Sequence, residues 1–284
     1  MDLSHGVSPV NELATHWHWH VPVLLTLTAA LLLYLVGVAS MSAGPLGPHE
    51  RWRVGIFVLG LTVLGAALMS PIDSLAPSLF YVHMIQHLLL MLVASPLLVL
   101  GKPAVAYRAA LVTRLAKSER LLDSLVWRGT MRIALNLGVV GIANTVVIWA
   151  WHLPNLYEAA IRNDLVHALE HGGFVAVSLP FWAVVLQGTK TRGPAGRIFL
   201  VFGVALQSSA LGAIIAFAGS PLYSLEVLGT PAWGLTPMED QQLAGALMWV
   251  LPGILYLATM VGVLFVWFKR MEALSPTPSP ARDT

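Results

Sequence analysis

The sequence predicts an all-α fold: a polytopic membrane bundle of seven transmembrane helices, N-terminus outside and C-terminus cytoplasmic. Three observations carry this reading. Of 284 residues, 57% are hydrophobic and only 11% charged, and the mean hydropathy is +0.74. An average soluble domain is about 25% charged, so a soluble fold of this length could not cover its surface. Disorder and nucleic-acid binding are excluded on the same ground. Second, seven runs approach the ~20 apolar residues that cross a bilayer: about 20–41, 53–70, 79–100, 133–152, 165–187, 198–218 and 243–268. Third, fifteen of the sixteen Lys and Arg fall in alternate connections, leaving Arg162 alone on the other side. Basic loops stay in the cytoplasm, which sets the orientation and supports seven spans.

The elements follow in order. Residues 1–19 form an extracytoplasmic segment, and 20–270 the membrane domain. The first twenty residues hold no Lys or Arg, and the apolar run behind them is too long for a leader's core, so it reads as a permanent first span. Pro96, Pro180 and Pro252 interrupt the third, fifth and seventh runs, which membrane helices tolerate when neighbours take up the freed carbonyls. Residues 104–127 are too charged to span. Leu111, Leu115, Leu122 and Val126 recur there at near-helical spacing between basic residues. That pattern fits an interfacial helix on anionic lipid of the cytoplasmic leaflet, or a docking surface for a partner. Asn136, Asn144, Gln207, Ser208 and Ser209 are expected to bond between helices. Asp240 opens the seventh span with Gln241 and Gln242, where a carboxylate caps a helix favourably. Asp73, after Pro71, reads as a similar loop cap. Residues 271–284 read as a disordered cytoplasmic tail.

Chemistry is confined to few residue types. There is no cysteine, which removes disulfides, zinc–thiolate sites and thiol nucleophiles. No HExxH or Walker loop is present, so the reading is a protein that holds something rather than an enzyme. Nine of the ten histidines map to the outer side, with only His49 cytoplasmic. His83 and His87 lie in the outer part of the third run, His167 and His171 in that of the fifth, and His152 ends the fourth. Residues four apart share a helix face, so each His–x₃–His pair can offer two imidazoles to one ion. Buried ionisable groups in membranes usually face the bundle interior. Two such pairs plus His152 make a candidate metal site for copper, zinc or iron, with Cu(I) favoured if Met84 or another thioether (Met69, Met91, Met238) joins. Haem ligated by one histidine from each helix is the alternative cofactor. A copper transporter is a further alternative, but the cytoplasmic half carries almost no ionisable groups to line a path. Glu170 could orient an imidazole from behind or be a buried acid with another partner. The run His16, Trp17, His18, Trp19, His20 fits an interfacial aromatic belt and equally an entry site for metal.

Four segments resemble a known family. They are HMIQHLLLMLVASPLLVLGKP (83–103), WHLPNLYEAA from Trp151, LVHALEH from Leu165 and TPMEDQQLAGALMWVLPG from Thr236. Together they resemble the multi-pass CtaG-like cytochrome c oxidase assembly factors, in the family's order, over roughly residues 50–268. The resemblance implies a bacterial inner-membrane protein needed to assemble a haem–copper oxidase of the caa type, with a proposed link to copper delivery at the outer face. The implied partners are oxidase subunits and extracytoplasmic copper chaperones, alongside the bilayer.

Overall fold

The computed structural model describes residues 17–42, 44–114, 124–188, 193–223 and 233–274. Among them the fold is all-helical. The helices are α1 (Val21–Met41), α2 (Pro48–Met69), α3 (Pro71–Leu75), α4 (Phe80–Leu88), α5 (Ser95–Leu100), α6 (Pro103–Arg114), α7 (Leu125–Ala134), α8 (Leu137–Trp151), α9 (Pro154–Arg162), α10 (Asp164–Trp182), α11 (Pro194–Ala216) and α12 (Pro237–Leu274). Six stretches are long and apolar enough to cross a membrane by themselves, and α7 with α8 makes a seventh bent by 62°. The bend falls at Asn136, whose side chain accepts from Gly138 N at 2.9 Å and starts α8. Asn136 is therefore a local cap and not the interhelical group expected. Gln207 does bridge helices, accepting from the Trp149 indole at 2.7 Å, a bond worth about 0.6 kcal/mol within a bilayer.

The stretch expected as one interfacial helix divides. α6 packs on the first span, where a Cβ on Gly37 would lie 1.9 Å from the Ala106 carbonyl oxygen. Only glycine allows that approach. Tyr107 then donates to Ala30 O at 3.3 Å. α7 belongs to the bent fourth span, while Leu115 and Leu122 lie outside the described residues. Residues 271–274, expected in the tail, continue α12, which runs through Leu274; residues 275–284 lie outside the described residues, as do His5 and His16.

The third span is continuous but changes register. Between α4 and α5, Leu89–Ala94 is a π-helix. Pro96 has no N–H, so in that register the Met91 carbonyl loses its donor. The Trp182 indole N–H supplies one at 2.7 Å, and Ser95 donates its hydroxyl to Leu90 O at 2.8 Å. The fifth span likewise ends in a π-helix, Ala183–Gln187, just after Pro180. Residues that break ordinary helices are thus tolerated because neighbours satisfy the backbone.

α11 and α12 also pack backbone to backbone. A Cβ on Gly245 would stand 2.4 Å from Ala216 N, and one on Gly212 2.8 Å from Trp249 N. Small residues let membrane helices meet backbone to backbone. Beside this crossing, Gln241 donates to Ile215 O at 3.2 Å and accepts from Leu222 N at 2.7 Å.

Candidate metal centre

The N-terminal ends of the third and fifth spans meet beside the C-terminal end of the fourth, and that junction carries the histidines. Local sequence sets each position. Asn163 caps α10 by accepting from Leu165 N and Val166 N at 3.0 and 3.1 Å, which places His167 on the first turn and His171 on the next. α4 is capped from afar. Its own N-cap, Leu79, offers no side-chain acceptor. The Asp240 carboxylate accepts instead from Phe80 N at 2.8 Å and Tyr81 N at 2.9 Å. Asp240, a candidate accessory residue in the sequence, is thus a clamp between the seventh and third spans. It holds the turn that presents His83 and does not itself enter the histidine cluster.

The two His–x₃–His pairs face one another. Ring centroids lie 4.2 Å apart for His83 and His87, and 4.1 Å for His167 and His171. Across the interface they are 5.3 Å apart for His83 and His167, and 5.6 Å for His87 and His171. Glu170, read from sequence as an outer support, sits among all four rings with 0% exposure. Its Oε2 lies 3.5 Å from His83 Nε2 and its Oε1 3.7 Å from His87 Nε2. Ligand atoms of His83, His167 and Glu170 fall within 4.8 Å of one another, and so do those of His87, Glu170 and His171. Both carboxylate oxygens, both nitrogens of His83 and of His87, and Nε2 of His167 and His171 are buried without a hydrogen-bond partner. Buried polar groups normally find partners, and leaving one bare costs about 1–3 kcal/mol. Imidazole and carboxylate groups that converge with no hydrogen-bond partner are what a metal ion satisfies, so these residues fit one.

His152 lies next to this group, 6.4 Å from His87 by ring centroid. Its Nδ1 is 2.7 Å from the Ile148 carbonyl oxygen, which can only accept, so Nδ1 carries the proton. In the neutral ring Nε2 is then a bare lone pair. It faces Met84 Sδ at 3.4 Å, a thioether with no proton to give. Two acceptors in contact make no hydrogen bond between neutral groups, but together they make a nitrogen–sulfur donor pair for a soft cation. Both residues line a cavity of about 30 Å³ with His87, Met91 and Met248. Met248 was not visible as a candidate in the sequence, because nothing in its spacing links it to the histidines. Met69 and Met238 do not line this cavity.

An aromatic group closes the cluster. Tyr157 from α9 lies 5.2 Å from His83 and 4.9 Å from Phe80, and Tyr223 lies 4.6 Å from both Tyr157 and Phe80. Burial pushes both phenols above their ordinary pKa, so they stay protonated. The Tyr223 hydroxyl donates to His152 O at 3.2 Å. Asp73 continues the cluster outward. Gln86 donates to its Oδ1 at 2.7 Å and to Ala67 O at 2.8 Å, while His20 Nε2 lies 3.1 Å from Oδ2. Ligand atoms of Asp73 group both with His167 and His171 and with His18 and His20. The expected loop cap therefore links the exposed N-terminal histidines to the buried ones.

The chain is 25% identical over 259 residues to two uncharacterized proteins, one of Mycobacterium bovis and one of Mycobacterium tuberculosis, covering 85% of this chain. It spans 38% of the length of those relatives. No solved structure matches the chain. The family model for the cytochrome c oxidase caa3 assembly factor matches residues 32–270, a range that leaves out only the first half of α1 and the last turn of α12 among the spans and holds both His–x₃–His pairs, Glu170 and His152. With most of its length so matched, the chain belongs to the cytochrome c oxidase caa3 assembly factor family.

Proposed function

We propose that this protein is a bacterial inner-membrane assembly factor that binds copper at the outer end of its bundle and passes it to a haem–copper oxidase. The role is holding and transfer rather than turnover. The observation that carries the reading is the convergence of His83, His87, His167 and His171 on Glu170, with buried donor atoms that no protein group satisfies. The contact of His152 with Met84 favours Cu(I) over zinc, because thioethers bind soft ions. The cavity beside the cluster, about 30 Å³, has room for water or an ion and not for a porphyrin, which favours copper over haem. Toward the other end of the bundle the helices are filled by Trp182, Phe181 and Tyr256, all buried, which favours delivery on the side of entry over transport. His18, His20 and Asp73 supply the entrance, where copper chaperones would hand over their ion and oxidase subunits would receive it.

The test is elemental analysis with an absorption spectrum on detergent-purified wild type and His83→Ala/His87→Ala. Copper in the wild type, at least tenfold less in the variant and no Soret band is the expected result. A Soret band, or no copper after anaerobic Cu(I) loading, would overturn the proposal.

A further inference from the structure

The buried centre has one carboxylate among four histidines, and the two oxygens of that carboxylate lie nearest different histidines. Oε2 of Glu170 is the nearer to His83 and Oε1 the nearer to His87. One compact three-residue group forms on His83 and His167, another on His87 and His171, and Glu170 belongs to both. A single ion among the four imidazoles would have to take both oxygens by chelation or leave one bare in a dry site, which is costly, whereas the two oxygens lie nearest different histidines. Each of the two groups offers two nitrogens and one oxygen, which suits a three-coordinate ion.

We propose that the centre is dinuclear: one copper ion held by His83 and His167, a second by His87 and His171, with Glu170 bridging them through its two oxygens. This rests on the copper reading above. Charge supports Cu(I) as the paired state. Two monovalent ions add two positive charges, and two carboxylates are at hand, Glu170 itself and Asp73, which groups with His167 and His171. Two Cu(II) ions would leave two charges uncompensated in a buried site, an expensive arrangement. The second position lies on the side of His152 and Met84, since His87 and His152 are neighbours. That places the soft donor pair where the inner ion could leave.

The stoichiometry of anaerobically loaded protein tests this, with copper counted per chain and X-ray absorption recorded on the same samples. Wild type should bind two ions and show copper–copper scattering. His83→Ala/His167→Ala and His87→Ala/His171→Ala should each retain one ion, and Glu170→Gln should bind one or fewer without the copper–copper feature. One ion in the wild type, lost in either histidine pair variant, would overturn the dinuclear centre and leave the copper function standing. No copper in the wild type would overturn both. The wild-type count decides the matter even if a variant fails to fold.

Discussion

Asp240 shows how much can depend on one side chain far from the donors. Its carboxylate is fully buried and accepts from two backbone N–H groups at the start of α4. Asp240→Ala would leave both donors bare, at about 1–3 kcal/mol. A fall in thermal midpoint in detergent is expected, and with it weaker copper retention, because the turn carrying His83 loses its anchor. An unchanged midpoint would show that the cap is dispensable. Glu170 marks the limit of residue-level reading. The pattern of the two histidine pairs pointed to their shared faces, and the structure brings them together. Glu170 is next to His171 in the chain, so spacing assigned it a supporting place. Its true position between four rings depends on how the third and fifth spans meet, and no single helix encodes that. Asp73, Tyr157 and Tyr223 were missed for the same reason, since each reaches the cluster from an element other than α4 and α10, and Gln86, on α4 beside the histidines, takes its place through Asp73.

At the level of elements, the apolar runs were readable because each is long, and the structure holds six helices long and apolar enough to cross a membrane, with a bent pair as a seventh. What was not readable lies where the backbone leaves the regular pattern. Asn136 sits inside an apolar run, yet its side chain starts a new helix and bends the fourth span. The π-helix before Pro96 depends on the Trp182 indole, a contact ninety-one residues away in sequence. The meeting of α11 and α12 gives a sharp contrast between glycines. Gly245→Ala would push a methyl into the Ala216 backbone, whereas a Cβ at Gly253 meets nothing within 4 Å. Thermal unfolding in detergent should show a marked loss for Gly245→Ala and little change for Gly253→Ala. Equal effects would mean that the two helices do not pack as closely as described.

For the whole molecule, the basic loops predict the orientation, and the proposed delivery depends on it. With no native cysteine, single cysteines report sidedness cleanly. Asn155→Cys, exposed at the histidine end, should react with a membrane-impermeant thiol reagent in intact spheroplasts. Glu272→Cys, exposed at the basic end, should react only after permeabilisation. The reverse pattern would place the proposed copper site on the cytoplasmic side and contradict delivery at the outer face.

The most direct test of the central claim is the copper-to-haem ratio of the oxidase purified from cells whose only copy of this protein is His83→Ala/His87→Ala, present at wild-type level. Oxidase that carries haem but is depleted in copper is the expected result. A ratio equal to that from wild-type cells would contradict it.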